Sequence, residues 1–505
     1  MDRSRQIDKV ALLRRVRFDT DRPSHRLYPT LGITMPWFNN RILSCVAGLA
    51  LLTALGCKLG PDYERPSVAV PADWRWKAAE PADNVPRGEW WTIFQDPALN
   101  ALEEQASTAN LDLQAAVARV NQARAVARFR GGELMPTIEG NPNWVRYRTS
   151  GTRPSPVDFP VPSFTQQQWD IPFDLSYELD IWGRIRRGFE SARHEAVAAE
   201  AARESVLLTL QSDVAGNYFS VLSVDREIRL LEDTIGIRRD AVGIFEKRLQ
   251  AGLGNEFEVQ RAMVEVASAE AELAFARRRR AELVNALAVL CGQPPPDFTP
   301  EFGTNNVVLP EVAPDLPSSL LERRPDVAEA ERHMAARNAE IGVAKTAFFP
   351  SISLTASGGL QSGSIDDLFK WDSRTWGIGP EINVPVFQAG RAFANLDRAR
   401  AAYDEAVANY RQRVLLAFRD VDDSLAALRF LKDQAKAREL GAESAGNATR
   451  LAVERYKAGA VNFLEVVDAE GARLLNELAR IRIANEQLIA TVRLVKALGG
   501  GWQED

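Results

Sequence analysis

Two periods alternate along this chain. Trp169, Ile171, Phe173, Leu175, Tyr177, Leu179 and Ile181 occupy every second position, with Asp170, Pro172, Asp174, Ser176, Glu178 and Asp180 between them. A period of two predicts a strand with one apolar and one polar face. Trp376, Ile378, Pro380, Ile382, Val384 and Val386 repeat the pattern against Gly379, Glu381 and Asn383. Shorter alternating partners precede each strand, at about 137–149 and 351–361, across loops rich in Gly, Pro, Ser and Asp. Four strands are thus predicted. Their aromatic starts, their length of roughly ten residues and their acidic opposite faces fit strands that turn the apolar side to lipid.

Elsewhere the period is helical. No proline interrupts Phe173 to Gln293, or Val386 to Asp505. Each stretch predicts one very long helix, Arg184 to Gln250 and Arg391 to Lys457, on the order of 100 Å at 1.5 Å per residue. Val214, Val221, Ile228, Ile235, Val242 and Leu249 recur every seven residues, with Leu210, Val224, Leu231 and Phe245 on the alternate seam, a coiled-coil signature. Val421, Leu428, Ala435 and Ala442 form a weaker seam in the second stretch. Return helices over 256–290 and 463–498 are about half as long. Helices near 98–134 and 318–347 would fill the other half, stacked end to end with the returns. In the latter, Asp326 and Glu329 read as a capping box.

The two periods occur twice. Gly252 and Gly459 lie 207 positions apart, and the same offset carries Asn255 onto Asn462, Glu258 onto Glu465, Gly183 onto Gly390 and Gly292 onto Gly499. The chain is therefore a duplicated unit, mainly α with transmembrane β. It divides into an upstream extension and signal peptide (1–56, with a credible start at Met35), an N-terminal arm (57–97), a first repeat (98–300), a linker (301–317), a second repeat (318–499) and a tail (500–505). Gly252 and Gly459 are expected to end the long helices in the left-handed cap position.

Four strands cannot close a barrel, and an open edge in lipid leaves backbone groups unpaired. Three copies would supply twelve strands. At 505 residues, 46% apolar and 26% charged, global disorder is excluded, and a net charge of −6 offers no basic surface to nucleic acid. The run Arg277 to Arg280 reads as a solvated helix face. Three His and three Cys, all dispersed, give neither a catalytic set nor a metal set. The apolar run Ile42 to Leu55 ends in Gly56-Cys57, in the manner of a bacterial lipoprotein processing site; Cys57 is the expected lipidation point, and that lipid is the only attached group expected, with no cofactor.

Gly60-Pro-Asp-Tyr-Glu-Arg-Pro66, Trp90 to Leu99, Leu321-Glu-Arg-Arg-Pro-Asp-Val327, Ala347-Phe-Phe-Pro-Ser-Ile-Ser-Leu354, Arg455 to Asp468 and Lys496 to Trp502 together resemble the outer-membrane channel subunits of tripartite efflux pumps, the OprM, NodT and TolC family. The resemblance implies a homotrimer in the outer membrane, with a twelve-stranded β-barrel above a twelve-helix α-barrel in the periplasm. It also implies a periplasmic adaptor and an inner-membrane transporter of the RND type as partners. Drugs or other small toxic compounds would leave through the tunnel. An outlet for type I protein secretion shares the architecture, and a scaffold without a pore is the rival of another class. By the same resemblance Leu464 forms an apolar constriction, Glu465 and Asp468 acidic gate positions, Tyr456 a tether and Glu258 the first-repeat acidic match. Gly252, Asn255, Gly459 and Asn462 present the tips to the adaptor. Gly471 stands where such gates carry Arg, with Arg473 the nearest substitute, and Val461 replaces another Arg.

Overall fold

A computed structural model describes residues 58–71, 73–75, 88–152, 162–303, 309–310, 312 and 323–500. Ile42 to Leu55, Cys57, Leu321, Glu322 and Trp502 lie outside these residues. After a 3-10 turn (Trp90–Phe94) come α1 (Pro97–Ala109), α2 (Leu111–Gly132), β1 (Thr137–Gly140), β2 (Asn143–Arg148), β3 (Thr165–Glu178), α3 (Arg184–Gln250) and α4 (Glu256–Leu290). The second half supplies α5 (Pro325–Thr346), β4 (Ser351–Ser362), β5 (Arg374–Asn383), α6 (Arg391–Lys457) and α7 (Phe463–Ala497). Both long helices run 67 residues between the ends expected from the proline-free stretches.

The strands form one antiparallel sheet in the order β1, β3, β4, β5, with β2 also paired to β3. β1 and β2 are the one strand expected over 137–149, interrupted where Pro142 has no N–H to donate. The register sets Trp144 opposite Trp169, Ile171 opposite Leu360, and Leu354 opposite Pro380, so the apolar positions share one face. β3 ends earlier than the alternation suggests. The Asp180 carboxylate accepts the backbone N–H groups of Ile185 and Arg186 at 3.0 and 2.9 Å, so it holds the start of α3 and lies outside the strand. Val384 and Val386 also fall outside the sheet, because Pro385 between them has no N–H for the ladder.

The wall of helices is jointed. The helix expected over 98–134 breaks at Asn110, whose backbone is extended. Its Oδ1 accepts the Leu113 N–H at 2.9 Å, capping α2, while its Nδ2 donates to the Leu290 carbonyl at the end of α4, also at 2.9 Å. Arg324 takes the corresponding place in the second half. It precedes α5 with extended backbone and donates to the Ala497 carbonyl at 3.2 Å. The expected capping box is therefore corrected: Asp326 sits inside the first turn and accepts two hydrogen bonds from Arg324, at 2.9 and 2.8 Å, because the buried guanidinium needs a counter-charge. Return and upper helices meet so closely that a Cβ on Gly292 would lie 2.3 Å from the Ala109 carbonyl oxygen, and one on Gly499 2.2 Å from that of Arg323. Both glycines also have positive φ.

At mid-height Trp90, Phe94, Leu99, Leu102, Val214, Tyr218, Phe219, Leu287, Val421, Leu494 and Val495 form the largest core. The Asp96 carboxylate caps α1 and accepts the Tyr218 hydroxyl at 2.6 Å. Glu103 is completely buried in the same α1 helix, and among the described residues neither carboxylate oxygen has a partner. Burial raises its pKa well above the carboxylate range. The arm lies along the upper helices. Arg187, itself buried, donates to the carbonyls of Leu59 and Gly60 and to Asp62, and Trp74 packs on Phe418. The basic run 277–280 is more than a solvated face: Arg277 reaches Glu232 and Arg280 reaches Asp225, clamping α4 to α3.

Candidate functional site: the hairpin tips and the exposed face of the last helix

Each hairpin turns in the same way. The Gly252 N–H donates to the Leu249 carbonyl at 3.0 Å and the Leu253 N–H to that of Arg248 at 2.8 Å; in the second tip Gly459 and Ala460 bond to Tyr456 and Arg455, both at 2.9 Å. Paired bonds of this kind close a helix C-terminus through a left-handed residue, here Gly252 at φ 69° and Gly459 at φ 73°. A Cβ at either position meets nothing within 4 Å, so backbone angle alone selects glycine. Three residues further on, Asn255 Oδ1 accepts the Glu258 N–H at 3.0 Å, and Asn462 Oδ1 the Glu465 N–H at 3.4 Å. Asn255 and Asn462 are thus N-caps of the return helices. Glu258 and Glu465 occupy the first turn, where free N–H groups favour negative charge.

On α7, Leu464, Asp468, Gly471 and Leu475 follow one another at intervals of three and four residues and form a single stripe. Leu464, Asp468 and Leu475 are exposed, and nothing lies within 4 Å of a Cβ built on Gly471. Glu465 flanks the stripe, 3.8 Å from Arg455 on α6. Arg473 does not join it. Two residues rotate a helix by about 200°, which puts Arg473 on the far side from Gly471, with its Nε buried and, among the described residues, without a partner. There it faces Glu470, whose pKa is raised by burial against the opposing pull of Arg238 and Arg473. The 207-residue offset carries Arg261 onto Asp468 and Phe257 onto Leu464. The first hairpin thus exposes an aromatic residue where the second exposes Leu, and holds a half-buried cation, 3.6 Å from Glu265, where the second exposes an acid.

Tyr456 joins the hairpins. Its hydroxyl accepts from the Arg248 guanidinium on α3, and its ring packs 5.8 Å from Phe463 and 6.5 Å from Phe245. Phe245, Val259 and Ala262 are buried under it. Higher up, Arg482 on α7 donates twice, at 3.2 Å, to the buried Glu227 on α3. Thus the lower half of the wall is tied across both hairpins by aromatic packing and ion pairs, while the stripe from Leu464 to Leu475 is left unpacked within one protomer.

Among the described residues no helix is long and apolar enough to cross a membrane, while the sheet carries an apolar face between two unpaired edges. Such a sheet, set on long paired helices, defines a channel subunit of the outer membrane. The profile of the outer membrane efflux protein family matches the chain twice, over residues 102–293 and 316–500. The chain belongs to this family. It is 35% identical over 462 residues to the solvent efflux pump outer membrane protein SrpC of Pseudomonas putida, covering 90% of this chain and 97% of that protein. It is 33% identical to the cation efflux system protein CusC of Escherichia coli, covering 91% and 98%. The outer-membrane channel CmeC of Campylobacter jejuni superposes with a TM-score of 0.84 at 25% identity, covering 89% of this chain and 96% of CmeC. The protein is an outer-membrane efflux channel, as its sequence led us to expect.

Proposed function

We propose that three copies close into one duct that opens to the exterior through a twelve-stranded barrel and reaches into the periplasm through the helical wall. The observation that carries this reading is the sheet with two unpaired edges and one apolar face. Each edge N–H and C=O left in hydrocarbon costs several kcal/mol, roughly 4–8 on an alkane scale, so copies must pair β5 of one with β1 and β2 of the next. The duct is passive and carries no catalytic machinery. Its tips, around Gly252, Asn255, Gly459 and Asn462, receive a periplasmic adaptor, which links it to an inner-membrane transporter of the RND type. Relatives are named for solvent and for cation efflux, and small toxic compounds are the cargo we assign.

Leu464, Glu465 and Asp468 form the gate, with Tyr456 holding the hairpins together and Glu258 as the first-repeat acidic counterpart. The threefold repetition of Asp468 around an axis makes a ring that attracts cations. Cys57 carries a lipid anchor. This reading is supported by the chain two residues on: the Leu59 N–H bonds to the Trp182 carbonyl at 3.1 Å, where sheet and helices meet. The test is planar-bilayer conductance of the solubilised protein beside a Glu465→Ala/Asp468→Ala variant. Small cation-selective events that widen or lose selectivity in the variant are expected. A monomer without conductance would refute the duct, and unchanged conductance would place the gate elsewhere.

A further inference from the structure

The apolar face of the sheet does not end in apolar residues. Trp144 and Trp169 lie side by side on it, ring centroids 5.7 Å apart, and Trp376 stands on the same face of β5. The next residues on that face toward the loops, by the period of two, are Arg146 and Arg148 on β2 and Arg374 on β5. All three are exposed, and among the described residues none has a carboxylate partner. Arg148 donates to Ser163 at 3.1 Å, and the Arg374 guanidinium lies 3.1 Å from the centre of the Trp371 ring. The end of the sheet that bears them is the one remote from the helices, which leave from the opposite end.

Tryptophans of this kind sit at the membrane interface, and residues two and four places further stand about 7 and 13 Å along the strand, in the headgroup layer. A lipid-facing arginine is costly at mid-membrane and nearly free at the interface. There its planar fork of donors matches a phosphate bidentately. Beyond this, β2 and β5 are the opposite edges of the protomer's sheet. Closing the barrel sets Arg374 of one protomer about one strand spacing, 4.7–4.9 Å, from the strand bearing the partner subunit's Arg146 and Arg148.

We propose that each joint between protomers is a binding site for the phosphorylated glycolipid of the outer leaflet, built from Arg374 of one copy and Arg146 and Arg148 of the next. The site rests on the trimeric reading, since no single copy contains it. The glycolipid phosphate accepts from the guanidinium groups while its acyl chains lie along the tryptophans below. Three such sites would tack the protomer joints together from outside the barrel.

The test uses the solubilised full-length oligomer and fluorescent lipopolysaccharide, with retention measured after size-exclusion chromatography. An Arg146→Gln/Arg148→Gln/Arg374→Gln variant is expected to bind about tenfold more weakly or worse, and the corresponding Lys variant to fall between, because charge survives and the fork does not. Arg374→Gln alone should weaken binding measurably, and serves if the triple variant fails to assemble. Binding unchanged in the Gln variants, equal binding of dephosphorylated lipopolysaccharide, or displacement by millimolar inorganic phosphate would each overturn the site. A wild-type protein that is monomeric and non-conducting would refute the trimer itself, whereas a conducting trimer with unaltered glycolipid binding refutes only the site.

Discussion

Replacing Glu103 by Leu is expected to stabilise the protein and to flatten its response to pH. The carboxyl group is completely buried, and among the described residues neither oxygen meets a donor. An unpartnered buried polar group costs about 1–3 kcal/mol relative to an apolar one of similar size. Its pKa is raised by burial, so the folded chain keeps the proton while an unfolded carboxyl releases it above about pH 4.3. The folded state then binds more protons than the unfolded state. This group's contribution to stability is therefore most favourable below about pH 4.3 and falls by up to about 1.4 kcal/mol per pH unit above it, until the buried group's own pKa is reached. The neighbouring Cys291 thiol, pushed up to about 11 chiefly by burial and then by Glu103, stays neutral across that window. The assay is thermal loss of helical circular dichroism for the solubilised protein at about pH 5 and about pH 8, with Glu103→Gln as the isosteric control. Wild type should lose more on going from the lower to the higher pH than either variant, and Glu103→Leu should melt highest at the higher pH. A Leu variant that melts lower at both, or a wild-type pH response shared by both variants, would refute the reasoning.

Three further outcomes follow from the joints and the upper wall. Gly499→Ala sets a Cβ 2.2 Å from the Arg323 carbonyl oxygen and should abolish assembly, whereas Gly459→Ala meets only the left-handed backbone angle and should cost about 1 kcal/mol, read from melting midpoints. Asn110→Ala removes a cap and leaves the Leu290 carbonyl without its donor; about 2 kcal/mol is expected, and a melt within experimental scatter of wild type would contradict it. His333 has its pKa raised to about 9, first by the Glu195 hydrogen bond and then by Glu329. Its contribution is fully present below the unfolded value of about 6.5 and disappears as pH rises through about 9; being partly exposed, the effect is small. NMR titration of the imidazole should show it charged at neutral pH, and an ordinary His pKa would contradict the pairing.

Periodicity made the long elements legible. Proline-free length and heptads made α3 and α6 legible as single helices, because a helix of that size averages over local choices, and the paired glycines at 183 and 390 and at 252 and 459 marked their ends. What failed were the places where one side chain outweighs the pattern. Asn110 breaks a helix without Gly or Pro, since its amide serves two backbones at once. Asp180 looked like a strand residue and works as the holder of a helix start. Arg324, not Asp326, begins α5, and only the position of Ala497, far away in sequence, explains why. Glu103 follows Leu102 at a position that reads as the polar side of an amphipathic helix; the burial comes from neighbours no local pattern announces. For the candidate gate, the offset of 207 already pairs Asp468 with Arg261, while the placement of Arg473 on the opposite helical face required only the 100° helical step.

The joints also set an order in time. Asn110 finds its carbonyl 180 residues later, and Arg324 finds its own 173 residues later. As the chain is made, the first hairpin can seat on its upper helix while the second does not yet exist. For that interval Arg324 is a buried-type cation without its carbonyl, and the strands of the first half have no neighbour at β4. A chain in this state exposes a strand edge and an unfinished wall, the kind of surface on which incompletely folded chains associate, so the second half closes the first as well as repeating it.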